Sequence, residues 1–154
     1  MTPSPALVPP VRLPRAIADA IVAHALAERP NEACGIVMGS APAALGGSPS
    51  TYVPCRNLAA SPFRFEIHPD DLYRLHVEAE ASDATGVGAG AFWAIVHSHV
   101  RSEARPSSMD VASSPHPDAL HLLVSLAGEV PELRGWWIRG GAAEEQTLEI
   151  EAGA

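Results

Sequence analysis

Two histidines, two residues apart, close the apolar run "AFWAIVHSH", and a serine and an aspartate follow in "VRSEARPSSMD". The run 91–99 is rich in β-branched and aromatic residues and is bounded by "GVGAG" and by a polar loop, so it reads as a strand. Side chains at i and i+2 of a strand leave the same face, so His97 and His99 present two imidazoles side by side at its end, while Ser98 points the other way. Two neutral imidazoles on one face make half of a zinc site. Asp110 comes eleven residues after His99, across a loop long enough to fold back and bring a carboxylate to the rings. Two histidines and one aspartate leave a fourth position for water, the arrangement of catalytic rather than structural zinc.

Other readings compete. An isolated H-x-H is also an ordinary polar strand end. His97, His99 and Glu103 match part of the cupin pattern H-x-H-x3-E, but cupins are all-β, this chain carries two helices, and Asp110 stands where that pattern has glycine. A hydrolytic zinc also needs a base to take a proton from water and return it to the leaving group. Glu32, at the mouth of the apolar run "EACGIVMGS", is the candidate.

The elements that must position these groups follow from the pattern. "LPRAIADAIVAHALAERP" is a helix that Pro14 starts and Pro30 stops, with Ile17, Ile21 and Leu26 on its apolar face. "EACGIVMGS" is a buried strand, "TYVPCRNLA" a second one weakened by Pro54, and "FRFEIH" a third by its alternation. "PDDLYRLHVEAEAS" opens with proline and two acids, a good helix start. "GVGAG" is a turn, Ser108–Ala112 a helical turn, and "ALHLLVSLA" a buried strand. "ELRGWWIRGG" and "EQTLEIEA" form a terminal hairpin in which Trp136 and Trp137 face opposite sides. Ser125 satisfies local backbone, and His121 faces a groove. Strands alternating with helices predict a three-layer α/β domain with a mixed central sheet, over residues 14–154, after a flexible Pro-rich arm at 1–13.

Composition sets the outer limits. A chain of 154 residues is one domain with room for a core, since about 70% of its unfolded surface is buried at this size. Its net charge of −8 argues against nucleic acid or an anionic membrane as partner. There is no apolar run of the roughly 20 residues needed to span a bilayer, and the opening "MTPSPALVPPVRLPR" has no signal-peptide pattern, so a cytoplasmic protein is expected. Cys34 and Cys55 are expected to be reduced thiols. A homo-oligomer is left open.

The combination "RPNEACGIVMG" with "HSHVRSEARPSSMD" resembles the JAMM (MPN+) zinc metalloproteases, whose pattern is P-x-E-x-C-G followed by H-[ST]-H-P-x6-S-x2-D. "NLAASPFRFEIHPDDLYRLH" resembles the segment these proteins carry between the two motifs, and the likeness spans about residues 14 to 139. It implies the MPN/JAMM fold, of the cytidine-deaminase-like kind. It also implies one Zn2+ on His97, His99 and Asp110, Glu32 as the base that holds the attacking water, and Ser107 as hydrogen-bond donor to the oxyanion. The chain departs from the pattern at Val100, where the family has proline; that residue is no ligand. Residues 100–106 resemble the bacterial branch that releases cysteine from CysO, a ubiquitin-like sulfur carrier. The implied partner is thus a ubiquitin-like sulfur carrier with a Gly-Gly C-terminus. Peptidases removing other C-terminal extensions or conjugates, and non-catalytic MPN scaffolds, are the alternatives. The loop at 40–50 and the segment at 100–106 are expected to flank the groove for the carrier's tail.

Overall fold

The computed structural model describes residues 9–85 and 90–153. Most of the turn expected at 86–90, and residues 1–8 of the expected arm, lie outside the described residues. The chain runs β1 (Val11–Leu13), α1 (Arg15–Glu28), β2 (Cys34–Gly39), β3 (Pro49–Cys55), α2 (Pro69–Thr85), β4 (Ala91–His99), α3 (Ser108–Ala112), β5 (Leu120–Ser125), β6 (Glu132–Arg139), β7 (Ala142–Gln146) and β8 (Leu148–Ile150). Six strands form one sheet in the order β3-β2-β4-β5-β6-β7. Only the β4–β5 pair is parallel; the other four pairs are antiparallel. The mixed sheet lies between two helices. Ile17, Ile21 and Ala25 of α1 pack on Val37, Val96 and Leu122. Leu75 and Ala79 of α2 pack on Ile36, Met38 and Ile95 of the opposite face. The architecture is the expected three-layer α/β sandwich.

Helix α1 begins after Pro14 and ends before Arg29, whose extended backbone (ψ 137) is the conformation that the following Pro30 imposes. Helix α2 carries Asp70 and Asp71 in its first turn. Asp71 is nearly buried and accepts hydrogen bonds from the Arg56 backbone amide at 2.8 Å and from the Arg56 guanidinium at 2.9 and 3.2 Å. Those bonds lower its pKa to about 2 and tie the start of α2 to the end of β3.

Three boundaries differ from the sequence reading. Residues 11–13 are not part of a loose arm. They pair in parallel with β8, Val11 opposite Leu148 and Leu13 opposite Ile150, and Leu13 is fully buried against α1. The terminal hairpin is β6–β7, not β6 with 145–152. Gly140 and Gly141 both have positive φ, which a tight hairpin turn of this hand requires, and that turn sets Arg139 opposite Ala142. The chain then leaves the sheet at Thr147, so that β8 meets β1. "FRFEIH" is not a strand, since the segment makes one bridge, Asn57 with Ile67. The Asn57 side chain instead takes its backbone groups: Oδ1 accepts from Glu66 N at 2.9 Å and Nδ2 donates to Arg64 O at 3.1 Å. No described helix is long and apolar enough to cross a membrane.

Since β1 is part of the core, Leu13→Ala is expected to cost about 2–5 kcal/mol in chemical denaturation. A loss below about 0.5 kcal/mol, the size of an ordinary surface substitution, would return residues 11–13 to the arm.

Candidate metal centre

Strand β4 is buried along its length, and its last turn of side chains carries the site. His97 and His99 leave the α2 face, as their spacing requires. Ser98 leaves the other face and accepts a hydrogen bond from Ala33 N at 2.8 Å, while Ser98 N donates to Ala33 O at 3.0 Å. This pair locks the chain just before β2 to the histidine segment. In register, Cys34 stands opposite His97, so Glu32 falls at the same end of the sheet as the two rings.

The ring nitrogens His97 Nε2 and His99 Nε2 are 3.2 Å apart, and each is 3.1 Å from Asp110 Oδ2. A tetrahedral zinc with bonds of about 2.0–2.1 Å has ligand–ligand edges of about 3.3–3.4 Å. The observed triangle is close to one face of such a tetrahedron. Its chemistry points the same way. His99 Nδ1 lies 2.8 Å from the Glu103 carbonyl, which can only accept, so Nδ1 carries the proton and Nε2 of the neutral ring is a lone pair. That lone pair faces a carboxylate oxygen and the Nε2 of His97, whose Nδ1 has no partner among the described residues; a cation between them would satisfy all three facing atoms.

Asp110 is placed by its own helix. Ser107 caps α3: its Oγ accepts from Asp110 N at 3.1 Å, and its backbone N donates to Asp110 Oδ2 at 2.8 Å. Burial raises the Asp110 pKa, but its hydrogen bonds with both rings outweigh this and hold it far below the usual carboxylate range. Burial lowers His97 below its ordinary value against the pull of Asp110. Burial also lowers His99, but there the Asp110 and Glu103 hydrogen bonds win and the net shift is upward. Phe65 stacks on His97 with ring centroids 4.3 Å apart.

Glu32 is buried, and one oxygen, Oε1, has no hydrogen-bond partner among the described residues. Ligand atoms of Glu32, His97 and His99 lie within 4.8 Å of one another. Its backbone is pinned on both sides: Glu32 N donates to Ser61 O at 2.9 Å and Asn57 Nδ2 donates to Glu32 O at 3.1 Å. Burial pushes its carboxyl up to about 7; His99 opposes the rise and Asp110 adds to it.

The structure therefore brings all five sequence-selected residues, Glu32, His97, His99, Ser107 and Asp110, to one end of the sheet. It also adds groups the sequence reading missed. Asn57 and the Glu103 carbonyl carry no motif signal. The capping role of Ser107 was legible as S-x-x-D opening a helix. The Glu103 side chain, a ligand in the cupin reading, turns out to solvent and pairs with Arg105. The groove beside the site is not flanked by 40–50 or 100–106. It measures about 470 Å³ and is lined by Phe65, Ile67 and Leu72 on one side and Met109, Ser113 and His116 on the other. The 40–50 loop instead sits at the far end of β4, where Gly47 O accepts from Trp93 Nε1 at 2.7 Å. His121, which does line the groove, is buried, stays neutral because burial lowers its pKa to about 4, and lies 3.0 Å from Ser114 Oγ. Cys34 and Cys55 face each other across β2 and β3 as free thiols.

Residues 14–139 match the family of prokaryotic homologs of the JAB domain. The chain belongs to this JAB family. A CysO-cysteine peptidase of Mycobacterium tuberculosis, and one of Mycobacterium bovis, are 32% identical to it over 137 residues, covering 87% of this chain and 86% of theirs. Tail tip assembly protein K of Escherichia phage N15 is 41% identical over 95 residues, or 61% of this chain and 32% of the phage protein. The same JAB fold is found in a solution structure of a Desulfitobacterium hafniense protein, with a TM-score of 0.73 and 23% identity over 93% of this chain and 94% of that one. A Salinibacter ruber protein also matches, with a TM-score of 0.60 and 22% identity over 92% and 91%.

The unpartnered carboxyl of this JAB domain has a stability cost that pH exposes. Its folded pKa of about 7 lies above the 4.5 of an ordinary solvated glutamate, so Glu32 favours folding below pH 4.5 and loses that contribution as pH rises to 7. In metal-free protein, Glu32→Gln is therefore expected to gain about 3 kcal/mol relative to wild type between pH 4.5 and pH 8. Parallel denaturation curves with the same offset at both pH values would show that Glu32 is not buried as described.

Proposed function

We propose that this chain is a zinc-dependent peptidase that hydrolyses the amide after the C-terminal glycine of a ubiquitin-like sulfur carrier ending in Gly-Gly, releasing cysteine from the carrier. The observation that supports this best is the triangle of His97 Nε2, His99 Nε2 and Asp110 Oδ2 with the unpartnered Glu32 carboxyl beside it. The substrate class is suggested by the CysO-cysteine peptidases, which match along most of both chains.

His97, His99 and Asp110 would hold one zinc ion. Bound there, zinc supplies Lewis acidity, bringing the pKa of a water toward about 7 and polarising the scissile carbonyl. Asp110 is assigned as the ligand and Glu32 as the base, because the Asp110 oxygen sits at bonding-edge distance from both rings whereas Glu32 Oε1 has no hydrogen-bond partner among the described residues and is left to meet a water. Glu32 takes a proton from the attacking water as the C–O bond forms, and gives it to the cysteine nitrogen as the C–N bond breaks. A carboxyl raised toward neutrality is suited to both transfers. Ser107 Oγ accepts from Asp110 N, which leaves its own proton to donate to the developing oxyanion, a contribution of about 3–4 kcal/mol for a well-placed donor. The apolar groove beside His97 takes the extended tail, and glycine next to the cleaved bond lets the backbone come close to the site. With two reduced thiols and this substrate class, the proposed place of action is the cytoplasm.

Glu32→Gln is expected to keep one zinc per chain while losing roughly 10²–10⁴ of the hydrolysis rate. The assay is mass spectrometry of carrier adducts ending in Gly-Gly-Cys before and after incubation. Near-native turnover by the variant would remove Glu32 from the chemistry. An adduct left intact by the zinc-loaded wild type, whichever carrier is supplied, would overturn the substrate assignment.

A further inference from the structure

The loop that follows His99 is held by side chains of β5 and β6 that supply no atom to the metal triangle; Ser125 stands opposite His99 in the β4–β5 pairing. Glu103 O is the acceptor for His99 Nδ1, and it also accepts from Arg105 N at 2.8 Å. The carbonyls on either side of it are both engaged. Ser102 O accepts from Ser125 Oγ, at the end of β5, at 2.6 Å. Ala104 O accepts from Trp136 Nε1, in the middle of β6, at 2.9 Å. Ala104 is fully buried and packs with Leu123 and Trp136 in a small core of its own. The Trp136 ring lies between two guanidinium groups, Arg105 from the loop and Arg134 from its own strand, each 5.1 Å from the ring centroid. Arg134 is itself fixed by a two-pronged pair with Glu145 at 2.6 and 2.7 Å. The loop backbone thus has three consecutive carbonyls with assigned donors. The middle one faces the imidazole.

We propose that Trp136 and Ser125 are positioning residues for the metal centre: by gripping carbonyls 104 and 102 they aim carbonyl 103 at His99 Nδ1 and so fix the tautomer that turns Nε2 toward the metal. The proposal rests on the metal reading of the site, and it gives a function to two side chains whose own hydrogen bonds go to the loop backbone and not to the metal-facing atoms. The physical reason is ordinary. A neutral imidazole carries one proton that can sit on either nitrogen, and only a fixed acceptor on the Nδ1 side keeps Nε2 free. Loss of the acceptor on a ligating imidazole's second nitrogen changes metal affinity by roughly 10–100-fold, and Trp136 and Ser125 act on that acceptor through the loop backbone. Trp136 is the more informative of the two. Its ring fills space and its Nε1–H holds the loop, and Trp136→Phe removes the second function while keeping most of the first.

The test uses full-length Trp136→Phe and Ser125→Ala, with Trp137→Phe as control. Trp137 is the adjacent residue of the same strand and donates its Nε1–H to Gln146 Oε1 at 2.9 Å, away from the loop. The control therefore loses the same bond type from the same element. Two readouts are taken: zinc affinity by competition with a chromophoric chelator, and the His99 Nδ1–H resonance of zinc-loaded protein by nitrogen–proton NMR. Trp136→Phe and Ser125→Ala are each expected to weaken zinc binding at least tenfold and to broaden or lose the Nδ1–H signal through faster exchange. Trp137→Phe is expected to stay within twofold with the signal intact. Equal losses in all three variants would make the effect one of general stability and overturn the proposal. So would wild-type affinity and an unchanged Nδ1–H signal in Trp136→Phe and Ser125→Ala. If Trp136→Phe does not fold, Ser125→Ala against the control decides. A wild-type chain that binds no zinc would instead fail the metal reading itself, which the chelator assay shows before any variant is compared.

Discussion

Three ligand-type atoms from three side chains crowd together where β4 ends beside the groove, and the rest of the structure is arranged around that conflict. Each of His97 Nε2, His99 Nε2 and Asp110 Oδ2 is within 3.2 Å of the other two. With His99 Nδ1 committed to a carbonyl, the neutral rings and the carboxylate have too few protons to satisfy one another. A proton on His99 relieves part of the conflict, which is why its pKa is raised against the effect of burial. A divalent cation relieves all of it. The neighbouring Glu32 compounds the cost, being a buried carboxyl with an oxygen left over. Burying such groups without partners is expensive, and folds retain them where chemistry needs them.

The scaffold supports the conflict by fixing every backbone that feeds it. Each site residue sits at the end of a rigid element or at a cap. The histidines end β4, the central strand that pairs antiparallel with β2 and parallel with β5. Asp110 is held by the cap of α3, and Glu32 by Asn57 and by the Ala33–Ser98 pair. Asn57 uses all four of its hydrogen-bonding positions, on Glu32, Ala59, Arg64 and Glu66, and so joins Glu32 to the wall of the groove. The two helices contribute packing on both faces rather than site residues, which leaves the sheet end free for chemistry.

Much of this was legible in the sequence, and the rest was hidden for definable reasons. H-x-H on a strand fixes the side on which two imidazoles stand, because the strand period is two. The S-x-x-D spacing fixes a helix start, and with it the direction of Asp110. Long periodic elements such as α1, α2, β4 and β5 were read correctly because burial on one or both faces writes itself into residue order. The misreadings share a cause: competition from partners distant in sequence. "FRFEIH" alternates like a strand, but Asn57 takes its backbone groups. Residues 11–13 look like linker because their partner, β8, is more than 130 residues away. "LEIEA" alternates like the second arm of a hairpin, but the double glycine closes the turn earlier. The groove walls were misplaced for the same reason, since only the folded chain shows that 40–50 lies at the opposite end of β4. Backbone acceptors such as Glu103 O have no side-chain identity and leave no motif at all.

The central claim is that two imidazoles and one carboxylate bind a single zinc ion at the end of β4. Zinc-edge X-ray absorption on the stoichiometrically loaded chain tests it most directly. One zinc per chain is expected, with a first shell of nitrogen and oxygen alone at about 2.0–2.1 Å and the outer-shell scattering of two imidazoles. A sulfur scatterer at about 2.3 Å, which would put Cys34 or Cys55 on the metal, or a first shell without two imidazoles, would contradict it.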